Sequence, residues 1–597
     1  MTRFCWKSLV PMKRAEFPDP RFLSPARQGE ATAESRWRPF AAAVFVLSAI
    51  LLFTRLGARA LWASEFRWAE IAREMILTHN YFWPTINGHL YYDKPLGSYW
   101  LVVAATYVTG GMNEAAARLP SALAGLIAVA LVGLLGRRLY NLKTGVAAAA
   151  ILATSFSFVF FARLADADVE TVAGELAALT LFWSRRDRPH GNWIFLLWLI
   201  MALTSLTKGL LGFVLPILVI GVYCTIGQGW RPLVEPLRRG RLAQSLGCVI
   251  ERNRWFFNWR TLVAAALGGV IYYAPFAISH AMTGSSQGLY MVYRENVERY
   301  FAPFDHKGPI YLYCYVIFIL MAPWSAFLPA ALIELHAVER VDRDRAASTR
   351  FVLVFFWAVF LFFTLSGSRR SYYLLPILPA GALLIARLLT AEELRSRAAT
   401  AALGLGCAIV VAIVTVSALA LIPPRLFMPR PYNLLPPAPA RGIFALCWML
   451  AMVTIAVALR RFSPTRVFAA TAVSSWLVMF YLFVFAYPAG DQWRGEKQFD
   501  LTVRSLIGAE TDKLALFRSA GSVYYLDLPQ PVPNYNTPRD LQSAIRADRV
   551  RWLILRTRDL ATLPPPYRVV AREAVFPWDS DAHRRNAIIL VRLAPSP

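Results

Sequence analysis

The chain has 597 residues, 57% of them hydrophobic and 17% charged, with a formal net charge of +26. Runs such as AAAVFVLSAILLF (41–53) and LGFVLPILVIGVYC (211–224) exceed what a soluble core hides, so the composition excludes a water-soluble enzyme and implies a polytopic helical membrane protein. Much of the basic charge lies in short turns between apolar runs, as in GRRLYNLK (136–143) and SRRDRPH (184–190), which is the positive-inside pattern and makes nucleic acid a poor explanation.

In chain order, residues 1–38 are basic, carry Pro11, Pro18, Pro20 and Pro25, and lack the apolar core of a secretory signal; they read as a disordered cytoplasmic tail. Thirteen candidate spans follow, at 39–57, 118–136, 145–161, 169–183, 192–206, 209–227, 261–279, 309–331, 351–366, 371–388, 398–421, 441–459 and 467–487. With the tail inside, the basic turns at 137–143, 184–190, 228–260, 332–350, 389–397 and 460–466 all fall inside. This parity requires the apolar stretch 96–110 to be re-entrant or interfacial. It also places 58–117, 162–168, 280–308, 366–371 and the C-terminal segment 488–597 together on the outer side. The six cysteines form no CxxC pair and no zinc spacing.

Ionisable groups beside membrane spans are costly and usually functional. In the first outer loop, SEFRWAEIAREMI (64–76) reads as an amphipathic helix capped by Ser64. Arg67, Glu70, Arg73 and Glu74 form its polar ladder, and Trp68, Ile71, Ala72 and Met75 form a face laid in the acyl boundary. Glu65, in the first turn, is assigned a chemical or substrate role. YYDKPLGSYW (91–100) sets Asp93 and Lys94 among Tyr92 and other aromatics, a low-dielectric setting in which the lysine suits a lipid-linked phosphate. The turn FARLADADVE (161–170) carries Asp166, Asp168 and Glu170. Like charges so close need a cation or a shared proton, which suggests a base or a divalent metal held by Asp93 and Asp168. Arg299, in YRENVERYFAPFDHKGP, and Arg369 and Arg370, in SGSRRSYYLLP with Tyr372, are outward cations suited to a pyrophosphate, lipid phosphate or other anionic headgroup. His306 reads as a loop cap, and Lys208 in SLTKG as a lysine snorkelling to headgroups. After Tyr487 the composition turns soluble. Strand-like runs at 522–528, 551–557, 567–573 and 586–593 and a helix-like 538–548 indicate a small α/β domain.

The stretches RWAEIAREMILTHNYFWPTINGHLYYDKPLGSYW, NEAAARLPSALAG, SLTKG, ENVERYFAPFDHKGPIYLY and SGSRRSYYLLPILPA resemble the bacterial lipid A aminoarabinose transferases and the wider protein O-mannosyltransferase-like GT-C glycosyltransferases, over about residues 40–390. The resemblance implies an all-α polytopic GT-C fold of about thirteen spans, with a large first outer loop and a small periplasmic C-terminal domain, in a bacterial inner membrane. It implies inverting transfer of a sugar, such as 4-amino-4-deoxy-L-arabinose, from undecaprenyl phosphate to lipid A or another envelope acceptor. The family's first-loop acidic pair maps onto Ser64 and Glu65, so its usual Asp is absent; Glu65, Asp166 and Asp168 stand as substitutes. Asp93 and Lys94 match the acidic residue and lysine before proline. Lys94, Arg299, Arg369 and Arg370 are then donor-phosphate ligands, and Ser64, Arg67, Tyr92, Asp93 and Tyr372 line the substrate pocket. Protein O-glycosylation by the same fold, or a transporter without transferase chemistry, are the alternatives.

Overall fold

The structure, a computed structural model, describes residues 25–62, 64–188, 191–227, 231–341, 343–419, 449, 453, 464–489, 491, 495–518, 523–563, 565–575 and 580–594. The first helix, α1 (Pro25–Phe53), starts well inside the stretch expected to be disordered, so residues 25–38 extend the first span as helix. Then come α2 (Glu65–Thr78), a two-residue hairpin β1 (Thr85–Ile86) and β2 (His89–Leu90), α3 (Gly97–Thr109), α4 (Glu114–Leu139), α5 (Leu142–Ala153) and α6 (Phe156–Ala162). They are followed by α7 (Asp168–Arg185), α8 (Trp193–Lys208), α9 (Leu211–Ile226), α10 (Arg231–Arg238), α11 (Leu242–Arg252), α12 (Trp259–Thr283) and α13 (Gln287–Tyr293). Further apolar helices cover Leu312–Leu320, Leu328–Val341, Arg343–Leu365, Leu378–Leu389, Arg397–Leu419 and Pro464–Tyr481.

Local chemistry fixes several ends. The Asn113 side chain accepts from the Ala116 amide at 2.9 Å, Glu114 sits in the first turn of α4 and Arg137 and Arg138 in its last, so cap and charges all complement the helix dipole. Asn141 and Asn258 cap α5 and α12 in the same way. Every candidate span falls on a helix except 441–459, of which only residues 449 and 453 are described. Among the described residues six helices are long and apolar enough to cross a membrane, or eight if two bent pairs each count as one span. The expected thirteen is not reached on those criteria: α8 and α9 are 16 residues long, α7 carries Asp168, Glu170 and Glu175, Arg397–Ile413 counts as a shorter apolar helix, and 441–459 lies almost wholly outside the described residues. The pair α5–α6 bends by 67° and the pair Leu312–Leu320 with Trp324–Glu339 by 118°. At 13 residues α3 is about 20 Å long, shorter than a hydrocarbon layer of about 30 Å.

The C-terminal segment forms a five-stranded sheet in the order β4 (Asn534–Tyr535), β3 (Leu514–Phe517), β5 (Trp552–Arg556), β7 (Ile588–Leu593), β6 (Tyr567–Arg572). β3 pairs in parallel with β4 and β5, and β7 antiparallel with β5 and β6. The run 522–528 is not a strand: its described part is a turn at 524–527. The alternation-poor LALF of β3, buried on both faces, supplies the strand instead. The turn docks the domain onto the first outer loop. The Tyr525 hydroxyl accepts from the Leu61 amide at 2.7 Å and donates to Glu114 at 3.0 Å, Lys497 pairs with Glu114 at 2.5 Å, and Asn87 exchanges two hydrogen bonds with the Val532 backbone. First loop and C-terminal domain therefore share one face of the bundle.

Within this domain Glu496 is pushed up to about 7 by burial and by the neighbouring Glu573. An acid raised in the folded state binds a proton that the unfolded chain has released, so stability falls as pH rises from about 4.5 to about 7 and stays lowered above that. Thermal unfolding of the protein in detergent, followed from pH 5 to pH 8, is expected to show this decline. Glu496→Gln is expected to flatten it, and an unchanged slope in that variant contradicts the assignment.

Candidate active site

The helix directions bring five separate segments to one end of the bundle. The first loop, the α6–α7 turn, the α8–α9 turn, the stretch after α13 and the turn after Arg343–Leu365 all line one cavity of about 1140 Å³. The cavity wall carries five cations, Arg67, Lys94, Lys208, Arg299 and Arg370, and five acids, Asp93, Asp166, Asp168, Glu295 and Asp305. Its lining also includes apolar residues, among them Leu211, Val214, Val297, Phe301, Phe362 and Phe363. A cavity that mixes ionic and apolar lining suits an amphiphile.

Most of the charges neutralise one another. Arg67 bonds to Asp93 and, at 3.3 Å, to the Tyr91 hydroxyl, so it leaves the α2 ladder that its spacing suggested. Lys94 lies 3.4 Å from both Asp93 and Glu295. Arg299 holds Glu295 at 2.5 Å and Asp305 at 2.9 Å, and Asp168 pairs with Lys208. Burial alone raises the Asp93 carboxyl, but Lys94 and Arg67 outweigh it and hold the group below the usual carboxylate range. His306 lines the cavity 3.2 Å from Asp305, and burial together with Arg370 pushes it below its ordinary value.

Two groups make no ion pair within 4 Å among the described residues, although the Asp166 charge is felt by Lys208. Asp166 accepts only the Ala167 amide, at 2.7 Å, and Arg370 is bonded to the Tyr372 hydroxyl at 2.6 Å and stacked on that ring. They are one anion and one cation, each turned to the same cavity. Ser64 lines it too, at the N-cap of α2, but its side chain makes no capping bond.

Three expected site residues lie elsewhere. Glu65 is 1% exposed, outside the cavity wall. Its carboxylate takes Arg118 bidentately at 2.7 and 2.9 Å, Arg59 at 3.2 Å and the amides of Trp62 and Ala165 at 3.0 and 2.9 Å. Burial is outweighed by Arg118 and Arg59, which keep the carboxyl low. A carboxylate with every lone pair engaged is a structural anion. Arg369 turns back to donate to the Thr364 and Gly308 carbonyls at 3.1 and 2.8 Å, and so ties the loop ends together. Tyr92 bonds to Ser279 of α12, outside the cavity wall. The apolar side of α2 is also not in lipid: Trp68, Ile71, Ala72 and Met75 are buried against α3 and the Tyr524–Tyr525 turn.

Lys208, read as a snorkelling lysine, is a cavity residue. The signal was the glycine after it: Gly209 has φ +109°, and a Cβ there meets Asn296 Oδ1 at 2.7 Å, while that oxygen accepts from the Leu210 amide at 2.8 Å. This turn ends α8 with its lysine aimed inward. A divalent metal does not fit: Asp93 and Asp168 are each paired with cations, and no group of three His, Cys, Asp or Glu among the described residues is placed to hold one.

The family model described as dolichyl-phosphate-mannose-protein mannosyltransferase matches residues 93–249. The undecaprenyl phosphate-alpha-4-amino-4-deoxy-L-arabinose arabinosyl transferase of Pseudomonas aeruginosa UCBPP-PA14 is 28% identical over 437 residues, covering 71% of this chain and 72% of that one. The transferase of the same description from Erwinia tasmaniensis is 30% identical over 343 residues, covering 55% and 56%. Against several of these relatives, then, the match spans little more than half their length. The crystal structure of ArnT from Cupriavidus metallidurans bound to undecaprenyl phosphate superposes with a TM-score of 0.66 at 19% identity, over 92% of this chain and 97% of that one. The fold is thus that of this solved structure.

Removing one partner of a buried ion pair costs about 3–5 kcal/mol. Glu65→Ala is therefore expected to lower the thermal midpoint of the purified protein strongly. Full retention of that midpoint with selective loss of turnover would return Glu65 to the chemistry.

Proposed function

We propose that the protein transfers a sugar, of the 4-amino-4-deoxy-L-arabinose kind, from undecaprenyl phosphate to lipid A or a similar envelope acceptor at the periplasmic face of a bacterial inner membrane. The carrying observation is that Arg370 and Asp166, neither in an ion pair within 4 Å among the described residues, line one cavity that also has apolar lining. Residues 39–487 act as the transferase, and 488–597 cap the first loop.

The donor arrives with a phosphodiester anion and an isoprenoid tail. The tail lies along Phe301, Phe362 and Phe363, and the phosphate lies against Arg370, with Lys94 and Arg299 adding field from their paired positions. An acceptor oxygen attacks the anomeric carbon from the side opposite the phosphate. As its bond forms, the bond from that carbon to the phosphate oxygen breaks, the electron pair leaves with the oxygen, and polyprenyl phosphate gains a second negative charge. Cations fixed beforehand stabilise this growing charge at little reorganisation cost. Phosphate leaves readily, so no general acid is required.

Asp166 serves the acceptor. If that is a hydroxyl, the proton passes to the Asp166 carboxylate; if it is a phosphate, already anionic, Asp166 only orients it. Among the cavity acids, Asp166 is the one with no ion pair within 4 Å among the described residues. Restricted need for a base favours a phosphate acceptor.

Arg370→Ala should cut kcat/KM for polyprenyl-phosphate sugar by about 10²–10³ with the thermal midpoint unchanged, since its side chain is exposed. Asp166→Asn should cost far more with a hydroxyl acceptor than with a lipid phosphate acceptor. Both variants retaining full transfer, properly folded, would remove the proposed site.

A further inference from the structure

The face opposite the cavity carries a feature that sugar transfer does not use. The α9 helix starts at the cavity wall with Leu211 and Val214, and α12 runs back to the cavity end at Thr283, so the stretch 227–260 between them lies at the far end of the bundle. It holds seven arginines, at 231, 238, 239, 241, 252, 254 and 260, against two glutamates, Glu235 and Glu251.

Its two short helices are fixed to each other and to the bundle. Ser245 Oγ of α11 donates to the Leu233 carbonyl of α10 at 2.7 Å, and Asn253 and Arg252 bond to Thr225 at the end of α9 at 2.8 and 2.5 Å. With Ser245 and Asn253 turned inward, Leu242, Leu246 and Ile250 recur at every fourth residue on the outward side and are 59%, 53% and 56% exposed. Leu237, Phe257 and Trp259 extend the apolar surface, each more than half exposed. Arg238, Arg239 and Arg241 stand exposed at the turn between the helices with no carboxylate partner among the described residues.

We propose that α10 and α11 form an interfacial hairpin that binds anionic lipid headgroups of the leaflet opposite the active site, with Leu242, Leu246 and Ile250 in the acyl boundary and Arg238, Arg239 and Arg241 on the phosphates. Three observations favour lipid over a protein partner. The hairpin is continuous with apolar helices on both sides, which fixes it at bilayer depth. Its charge is strongly of one sign, matching a lipid layer that carries the other. The same end of the bundle carries further basic turns, at Arg137–Arg138, Arg185–Arg186 and Arg395–Arg397, so the positive field spreads across the face as a leaflet does. An apolar stripe beside a dense arginine cluster is the composition of an in-plane helix.

The test compares full-length protein in nanodiscs of phosphatidylcholine alone with nanodiscs of phosphatidylcholine and phosphatidylglycerol, reading hydrogen exchange of the amides of 242–252 and, by native mass spectrometry, which lipid is retained. Phosphatidylglycerol is expected to slow exchange there and to be retained preferentially. Each arginine near an anionic surface is worth about fivefold, so Arg238→Gln/Arg239→Gln/Arg241→Gln should weaken that preference by roughly a hundredfold while leaving sugar transfer unchanged. Leu246→Ser alone should raise exchange in both nanodiscs. Equal exchange and equal retention for the wild type, a preference untouched by the triple variant, or a second copy of the chain cross-linked through Leu246 would each overturn the proposal.

Discussion

Arg118 uses all five of its N–H groups: two on Glu65 and three on the carbonyls of Leu56, Arg59 and Ala60. The group is almost fully buried, as is its partner, and neither could remain charged there unless so completely engaged. That one cluster fastens the exit of α1, the start of α2 and the first turn of α4 into a single corner. The cavity wall supplied by Ser64, Phe66, Arg67 and Trp68 hangs from it, and so does the platform on which Tyr525 and Lys497 seat the C-terminal domain. The acid nearest the expected catalytic position therefore serves the scaffold.

The cavity is built on charge balance. Five cations and five acids line it, and most are paired: Arg67 with Asp93 inside the first loop and Arg299 with Glu295 one helical turn away, while Lys94 to Glu295 and Lys208 to Asp168 tie separate segments together. Such cross-ties hold the loops in register in a partly desolvated space, where a lone charge would be costly. They also mute most of the field, so on the proposed reading a phosphate is drawn most strongly to Arg370 and a polar acceptor to Asp166.

Hydropathy and charge parity were enough to place the elements. The described candidate spans lie on helices, and the loops assigned to one face do meet, because apolar runs of span length and basic turns leave few alternative threadings. The particular residues were less legible. Arg299, Arg370, Lys94, Asp93 and the two aspartates of 166–168 lie in the cavity, and their presence in outer turns was itself the clue. Glu65 and Arg369 carried the same clue and are structural, since the partners that decide the matter, Arg118 and the Gly308 carbonyl, sit about fifty to sixty positions away. Lys208 was misread because a lysine ending an apolar helix looks the same whether it turns outward to headgroups or inward to Asp168. The α2 face of Trp68 and Met75 was assigned to lipid because amphipathy reports that a face is buried, not what buries it. In the C-terminal domain, the aromatic run around Tyr525 has strand composition but works as a docking turn.

The central claim is that a lipid-borne phosphate and a polar acceptor meet in this one cavity, held by Arg370 on one side and Asp166 on the other. The most direct measurement is a cryo-EM structure of the protein with undecaprenyl phosphate. The phosphate is expected within hydrogen-bonding distance of Arg370, with the isoprenoid tail leaving along Phe301, Phe362 and Phe363. A phosphate seated on the opposite face, or in the cavity but turned away from Arg370 with the tail crossing the Asp166 side, contradicts the account.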